Sequence, residues 1–283
     1  MKRLTLFLAT AIICLSATAQ EKKDTIRIGG LIIVKDGKGK NGKSKGVHMR
    51  RNHDPGKNRN ISTNWWILDL GFSNYDDKTN YNTVGSYLVN RPGSTVLDKN
   101  DFKLRTGKSI NVNIWLFMQR LNLIKHHVNL KYGLGVELNN YRYKSNISYK
   151  EGGVVPYTAN AQTNAPFIFR DSILFSKNKL ATNYITVPVM LNFATHRNNK
   201  KGISLSVGVS AGYLYSQRNK QVSGERGKWK NKGDYGLEKF KFSYIAEAGL
   251  GPIRLYGSYS PNSIYEKSLD MRPYTVGLRF SNW

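Results

Sequence analysis

Cysteine is almost missing from this chain of 283 residues, which contains only Cys14. That residue lies in the stretch 1–19, which has the three parts of a secretory signal peptide: Lys2 and Arg3, an apolar run, and small residues before Gln20. We expect this signal to be removed after export by the general secretory route. Its removal would leave a chain without thiols, which excludes disulfides, cysteine nucleophiles and thiolate metal sites.

Long apolar segments are also missing. No uninterrupted apolar run after the signal reaches the roughly 20 residues that a transmembrane helix needs, and helix signals are scarce throughout the sequence. The sequence therefore argues against a helical membrane protein. It does not argue against a transmembrane barrel, because barrel strands alternate polar and apolar residues instead of forming apolar runs.

Acidic residues are few. The chain has 18 Asp and Glu against 44 Lys and Arg, which gives a formal net charge of +26. An excess of this size attracts polyanions. Because an exported chain rarely meets nucleic acid, we expect no nucleic-acid partner. The predicted counter-charge is outer-membrane lipid, including the phosphate groups of lipopolysaccharide.

Residues 20–60 are predicted to form a basic, glycine-rich periplasmic tail. Twelve Lys or Arg stand against four acidic residues between Glu21 and Asn60, so most of the tail is expected to be flexible. The β-branched segment 25–34 predicts a short strand or a hairpin about Gly29 and Gly30. This segment either adds to the sheet of a periplasmic partner or lies across a barrel mouth, or it is a local hairpin without a partner.

The segment 128–139, with the sequence VNLKYGLGVELN, has the clearest pattern in the chain. Its even positions are all apolar, whereas its odd positions combine Asn and Gly with Lys131 and Glu137. A period of two predicts a β-strand with one apolar and one polar face. Its length is about the roughly 9 to 11 residues of a tilted strand that crosses a membrane, with one face in lipid and the other in a packed lumen.

Eight segments share this alternation: 64–72, 109–119, 128–139, 185–193, 203–215, 239–250, 253–260 and 274–280. The connections between them alternate long and short, with long polar loops at 73–108, 143–179, 217–238 and 261–272. Outer-membrane barrels have this asymmetry, because tight turns face the periplasm and long loops face outward. The sequence predicts an all-β fold in residues 61–283: an eight-stranded antiparallel transmembrane β-barrel with both ends in the periplasm.

Strict alternation also predicts whether individual side chains point inward or outward. On the first strand it places Trp66 outward and Trp65 inward, and on the second it places Met118 outward and Phe117 inward. Pro188 conflicts with the middle of the fourth strand, because proline cannot donate to the ladder. A bulge is the expected solution there.

Aromatic residues cluster at the strand ends, as in the two girdles of a membrane barrel. Near the outer rim we predict Phe72, Tyr213, Tyr215, Phe240 and Phe242, and near the inner rim Phe193, Phe280 and Trp283.

The inward face of the predicted barrel carries opposite charges, which we predict to form a salt-bridge network. Its members are Asp69, Lys131, Glu137, Lys241, Glu247, Arg254 and Arg279. Unpaired buried charge is costly, so a structural network is favoured over a proton relay or ion path. An interior of eight strands is only wide enough for side chains, which excludes a wide aqueous pore.

The histidines argue against catalysis at the cell surface. His48 and His53 lie in the tail, while His126, His127 and His196 lie beside the predicted short turns. None is near the outer rim, where a lipid-modifying barrel would act. Because adjacent strand residues point to opposite faces, the histidine pair is not expected to bind metal. We predict no catalytic residue, no metal site and no cofactor.

Four segments carry a resemblance to a known family: YITVPVMLNF (184–193), SLSVGVSAGYLYSQRNK (204–220), AEAGLG (246–251) and YTVGLRF (274–280). This pattern resembles the PorT-like outer-membrane β-barrel family of Bacteroidota, over roughly Asn64 to Phe280. The resemblance implies an eight-stranded outer-membrane barrel. Its members are mostly of unassigned function, and a role in secretion does not follow from fold alone.

The main functional hypothesis is a non-enzymatic, integral outer-membrane barrel with a structural or interaction role, whose mobile basic loops meet anionic lipid or a protein partner. The alternatives are a soluble lipocalin-like carrier, whose apolar stripe would line the inside, and, less favoured, a lipid-modifying enzyme or a secretion-system accessory. The aromatic terminus fits a signal for the barrel-assembly machinery, which is a predicted partner. A periplasmic protein could bind the tail.

Overall fold

The computed structural model describes residues 25–28, 31–35, 47–51, 60–196, 202–250 and 253–281. The chain divides into two compact units, Met1–Asn58 and Arg59–Trp283.

The described part of the first unit is a small antiparallel sheet. Its strands are β1 (Thr25–Ile28), β2 (Leu31–Lys35) and β3 (Val47–Arg51), in the order β1-β2-β3. The segment predicted to form a hairpin therefore contains two paired strands. The predicted signal peptide lies outside the described residues.

The second unit is built on a closed ring of antiparallel strands. They are β4 (Ile61–Asp77), β6 (Ile110–Ile124), β7 (Val128–Arg142), β12 (Lys177–Ala194), β13 (Ile203–Ser223), β15 (Phe240–Leu250), β16 (Ile253–Tyr259) and β17 (Met271–Phe280). The order around the ring is β4-β6-β7-β12-β13-β15-β16-β17, and β17 pairs back with β4. The predicted all-β antiparallel barrel is confirmed, and closure removes the exposed edges of an open sheet.

Shorter elements occupy the long connections. They are the strands β5 (Leu88–Val89), β8 (Ile147–Lys150), β9 (Gly153–Val154), β10 (Gln162–Thr163), β11 (Phe167–Arg170) and β14 (Gly227–Lys232), and the 3₁₀ turns Tyr81–Thr83, Gly85–Tyr87 and Thr106–Lys108. Strands β5, β11 and β8 form a small sheet, and β14 pairs with the end of β13. Within the described residues, no helix has the length and hydropathy that a membrane crossing requires.

The long connections fold into a compact dome, which we define as residues 78–109, 143–176, 224–239 and 260–270. The dome has its own apolar core, which includes Phe102, Tyr149 and Ile168, each at most 1% exposed. Core residues at the strand ends, such as Tyr141 and Tyr184, continue this packing into the mouth of the ring. The long connections are therefore folded elements, where the sequence predicted only long polar loops, because they bury enough apolar surface to fold.

The segment predicted as a loop at 217–238 is largely a β-hairpin. Strand β13 continues to Ser223, past its predicted end at Tyr215, and then turns into β14. Its sequence lacks apolar alternation because the buried residues at this end of β13 are the polar Asn219, Gln221 and Ser223. The apolar period therefore marks only the part of β13 with an exposed apolar face, and the strand extends beyond it.

A paired irregularity in β4 and β6, the first two ring strands, changes which of their side chains point into the ring. Trp65 pairs with Phe117 and Ile67 pairs with Trp115, so the residues between them, Trp66 and Leu116, stand outside the register. Trp66 has a left-handed backbone with φ 57°, the strained geometry that some bulges adopt. From Trp66 and Leu116 to the strand ends farther from the dome, positions that alternation predicts to point inward point outward, and the reverse.

The inversion corrects three predicted assignments. Trp65 lies outward and is 59% exposed, whereas Met118 is fully buried inside the ring. Phe117 also lies outward, with its ring centroid 5.9 Å from that of Trp65. Inside the ring, Met118 packs with Ile67 and Trp115 in a small apolar cluster.

Pro188 is accommodated without the expected bulge. On the β13 side it pairs in register with Ser210. On the β7 side the pairing stops after Thr186 and resumes at Val189 without a change of register. The missing donor of proline therefore interrupts one ladder locally and does not shift it.

Glycines on the inner face allow neighbouring strands to come close. A Cβ atom added to Gly71 would lie 2.7 Å from the carbonyl oxygen of Val276 and 3.0 Å from the hydroxyl of Tyr256. A Cβ atom on Gly107, in the dome, would meet nothing within 4 Å. Crowding in a narrow ring, and not a turn, explains the inner glycine.

We expect Gly71→Ala to lower the free energy of unfolding by about 1 to 3 kcal/mol, because the backbone of β17 would have to move. Urea unfolding in detergent micelles, followed by tryptophan fluorescence, measures the change. The matched control Gly107→Ala should stay within about 0.5 kcal/mol of the unchanged protein. Equal stability of the two variants would contradict the close approach of the strands.

Candidate functional site

Glu247 lies at the centre of a buried ion network inside the ring. Its Oε1 accepts hydrogen bonds from Nζ of Lys131 at 2.9 Å and from Nη1 of Arg254 at 2.8 Å. Its Oε2 accepts one from Nη1 of Arg279 at 2.7 Å. Arg279 also donates to both oxygens of Asp69, at 2.7 and 2.8 Å. Bidentate pairing of this kind has fixed geometry and is among the strongest in proteins.

A second ion pair lies nearer to the dome, between Lys241 and Glu137. Oε1 of Glu137 also accepts a hydrogen bond from Nδ2 of Asn139, at 2.9 Å. The structure thus places all seven residues of the predicted charge network inside the ring, and it divides them into a group of five and a group of two. The group of two is neutral, whereas the group of five has three cations and two carboxylates. Each of the three cations is hydrogen-bonded to a carboxylate, as buried ions require.

Aromatic rings enclose the larger group. The guanidinium carbon of Arg279 lies 5.6 Å from the ring centroid of Trp115 and 5.7 Å from that of Tyr256. Nε1 of Trp115 donates to Oδ2 of Asp69 at 2.7 Å. The rings add cation–π attraction and fill space beside the ions. Alternation along 109–119 predicts an inward side chain for Trp115, but its bond to Asp69 has no signal in the sequence.

Asparagines fill the lumen between the two ion groups, which the charge pattern did not reveal. Nδ2 of Asn111 donates to Asn113 at 2.9 Å and to Asn139 at 2.8 Å, and the hydroxyl of Tyr256 donates to Oδ1 of Asn111. In the sequence, only the position of these asparagines on the inward side of the predicted strands indicated that they line the lumen. A cavity beside Glu137 measures about 20 Å³, which is room for about one water molecule.

A chain of buried phenols lies in the dome above the lumen. The hydroxyl of Tyr149 lies 2.6 Å from the hydroxyl of Tyr143 and 2.6 Å from that of Tyr265. Burial raises the pKa of Tyr143 to about 12, so the phenol is neutral at physiological pH. Neutral, mutually bonded phenols make a stable apolar core without unpaired charge.

The outer face of the ring carries an apolar belt, which we define as the outward apolar side chains of the eight ring strands. On β12 the belt includes Ile185, Val189 and Phe193, each 43 to 46% exposed. Monomeric soluble proteins rarely expose a continuous apolar surface this large. Ionic side chains fill the inside and apolar ones cover the outside, which is the reverse of the arrangement that a lipocalin-like carrier requires.

The described members of the predicted girdles all lie at the ends of this belt and are 43 to 59% exposed. At the dome end they are Phe72, Tyr213, Tyr215, Phe240 and Phe242, and at the short-turn end Phe193 and Phe280. Trp283 lies outside the described residues.

The described histidines of the barrel lie at the end opposite the dome. His126 and His127 are in the turn between β6 and β7, and His196 follows β12. Nδ1 of His127 lies 2.9 Å from the carbonyl oxygen of Ala194. In the described ranges, no group of three or more His, Cys, Asp or Glu side chains could hold a metal ion.

A family model for an outer membrane protein beta-barrel domain matches residues 68–262, more than half of the chain. The chain belongs to this family. The barrel domain is therefore integral to an outer membrane, and its apolar belt is the surface that meets lipid.

No curated protein matches the sequence of this outer-membrane barrel. Among solved structures, two mutants of Rhodopseudomonas blastica porin are similar to it at 9 and 10% identity. Each match covers 78% of this chain and 99% of the porin chain, with a TM-score of 0.17. A score this low carries no argument about the structure or the activity of the barrel.

We expect Glu247→Gln to destabilise the outer-membrane barrel by about 3 to 5 kcal/mol, because three buried cations would lose the carboxylate that compensates them. Urea unfolding in micelles measures the loss. Glu225→Gln, on the exposed tip of the dome hairpin, is the matched control and should change stability by less than about 0.5 kcal/mol. A loss below about 1 kcal/mol at Glu247 would show that the network contributes little.

Proposed function

We propose that this outer-membrane barrel is a non-conducting, non-enzymatic anchor that presents the folded dome at the cell surface for interaction with lipid or protein. The observation that carries the proposal is the continuous filling of the barrel axis. Ion pairs occupy the lumen, asparagines follow, and the phenol-rich dome core covers the mouth. A transport role would need a path that this packing leaves no room for.

The orientation follows from the lengths of the connections. All four dome segments lie at one end of the ring. The strand ends joined by the short connections lie at the other end: Ile124 and Val128, Ala194 and Ile203, and Leu250 and Ile253. In outer-membrane barrels the long connections face outward and the short turns face the periplasm. We therefore assign the dome to the cell surface, and the short turns, the basic tail and both chain ends to the periplasm.

A non-enzymatic role is favoured by where the potential catalytic groups lie. The described histidines of the barrel are at the periplasmic end in this orientation, away from the Asp and Ser side chains of the dome. Asp171, for example, pairs with Arg226 at 3.0 Å and accepts from the hydroxyl of Ser148 at 3.0 Å. These bonds connect separate segments of the dome, and they occupy the carboxylate of Asp171.

The finer assignments belong to the same proposal. The PorT-like pattern of 184–193 supports membership of that group within the barrel family, in Bacteroidota. Outer-membrane lipid, including lipopolysaccharide, and the barrel-assembly machinery are the proposed partners of the barrel, and a periplasmic protein is the proposed partner of the tail. Export would proceed by the general secretory route.

We expect the purified barrel to produce no discrete conductance steps in planar lipid bilayers, because an eight-stranded interior is only wide enough for the side chains that the described residues place in it. A general porin in the same bilayers serves as the positive control. Steps that survive repurification and vanish in a variant with an altered lumen would overturn the closed-barrel proposal.

Surface labelling tests the orientation. In a Cys14→Ser background, Gly224→Cys places a thiol at the tip of the dome hairpin, where an added Cβ meets nothing within 4 Å. His196→Cys places one on an exposed short-turn residue. A membrane-impermeant maleimide added to intact cells should label position 224 and spare position 196, while lysed cells should be labelled at both. The reverse pattern would refute the assignment.

A further inference from the structure

Four basic side chains form a row across four neighbouring strands where the ring meets the dome. Lys179 on β12 lies opposite Arg142 on β7 and opposite Lys220 on β13, and Lys220 lies opposite Lys230 on β14. Directly opposite residues of neighbouring strands point to the same face of a sheet. The four cations therefore share the outer face, on strands about 4.8 Å apart.

A second set of cations flanks this row on the same face. Lys177, Arg218, Lys228 and Lys232 each lie two positions along a strand from a member of the row, and a period of two keeps them on the same side. We call the eight side chains the cationic face.

Within the described chain, no salt bridge joins any of these eight side chains to an acidic residue. Lys179 donates to Oδ1 of Asn140, and Nη2 of Arg142 donates to the carbonyl oxygen of Ser176 at 2.9 Å. Both partners are neutral. Like charges directly opposite each other destabilise a sheet, so the isolated protein carries this repulsion without compensation.

The pKa of Lys179 reflects both its partial burial and the cations around it. Partial burial, followed by the charges of Lys177, Lys220, Arg218 and Arg142, lowers the pKa of Lys179 to about 8. Lys179 is still mostly protonated at neutral pH, but its charged form is disfavoured. A bound anion would favour the charged form and remove the repulsion.

The cationic face lies directly above the apolar belt. Arg218 is three residues beyond Tyr215, the last belt residue of β13, which is roughly 10 Å along the strand and roughly 7 Å in height for a strand tilted by about 45°. The headgroup layer extends roughly 5 to 7 Å beyond the hydrocarbon core. The lower cations therefore lie at headgroup level, and the others lie just above it.

The opposite wall of the barrel shows no such row among the described residues. In the ring order, β17 is four strands away from β12 in either direction. At its dome end the outer face carries compensated pairs, with Arg272 bound to Asp270 at 2.9 Å and Lys78 to Asp76 at 3.5 Å. A general surplus of positive charge would appear on both walls, whereas a binding surface is local.

We propose that the cationic face binds the phosphate groups of a phosphorylated lipid of the outer leaflet, whose acyl chains lie against the apolar belt below. This inference rests on the proposed function, because the face meets the outer leaflet only when the dome is at the cell surface. Adjacent strands present their cations within reach of one phosphate group, and charge-assisted bonds to phosphate are strong. An amphipathic ligand matches a charged surface that continues into an apolar one.

The test compares two triple variants of the full-length barrel in detergent micelles. Lys179→Gln, Lys220→Gln and Lys230→Gln remove most of the row. Lys78→Gln, Lys99→Gln and Lys267→Gln remove the same charge from exposed positions elsewhere in the dome. The probe is bis-phosphorylated lipid A, and the readout is the thermal midpoint as a function of lipid concentration, since a ligand stabilises the state that it binds.

We expect the row variant to bind lipid A about 100-fold more weakly than the unchanged protein, or about fivefold for each lysine lost, while the control variant keeps its affinity. Without lipid, the midpoint of the row variant should equal or exceed that of the unchanged protein, because repulsion is relieved. A purely structural role for these lysines would give the opposite sign.

Three results would overturn the inference: equal weakening in both triple variants, equal binding of lipid A without its phosphates, or stabilisation by inorganic phosphate at the same concentrations as by lipid A. If the row variant does not fold, Lys228→Gln with Lys230→Gln on the exposed hairpin replaces it, and Lys99→Gln with Lys267→Gln is its control. Binding in micelles does not depend on orientation. Failure of the surface labelling would therefore refute the proposed function separately.

Discussion

The pairing of charges that cannot reach water is the constraint on which the rest of the barrel depends. Arg279 bonds to Asp69 across 210 positions of sequence, and Lys131 bonds to Glu247 across 116. These bonds join the first ring strand to the last and the third to the sixth. The network is therefore satisfied only when the ring is closed with the correct strand order, so the cost of unpaired buried charge selects one closure over its alternatives.

Alternation in the sequence was enough to predict the antiparallel ring and to assign the seven charged residues to its inner face, because period two follows from strand geometry alone. It failed at Trp66 and Leu116, where paired irregularities invert the parity. Nothing in the local composition distinguishes these two residues from their apolar neighbours. Irregularities of this kind arise from packing between strands, and they can be read only once the register is known.

The dome escaped prediction for a different reason. Its core uses Tyr143, Tyr149, Tyr235 and Tyr265, which come from three separate connections that are rich in polar residues. Each connection alone has too few apolar residues to suggest a folded element, and the core exists only after ring closure brings the connections together. The same tyrosines bond to one another or to main-chain oxygens, so their burial leaves the dome without unpaired polar groups at these hydroxyls.

The row of like charges is a consequence of register, and register is fixed by closure. Sliding β13 by one residue against β12 would separate Lys220 from Lys179, but it would also turn the apolar belt of β13 into the lumen and its serines toward lipid. That exchange costs far more than the repulsion between lysines that are partly exposed to water. The ring therefore cannot relax the repulsion by slipping. Because no carboxylate of the described residues forms a salt bridge with the cationic face, an anion from outside the chain would relieve the repulsion.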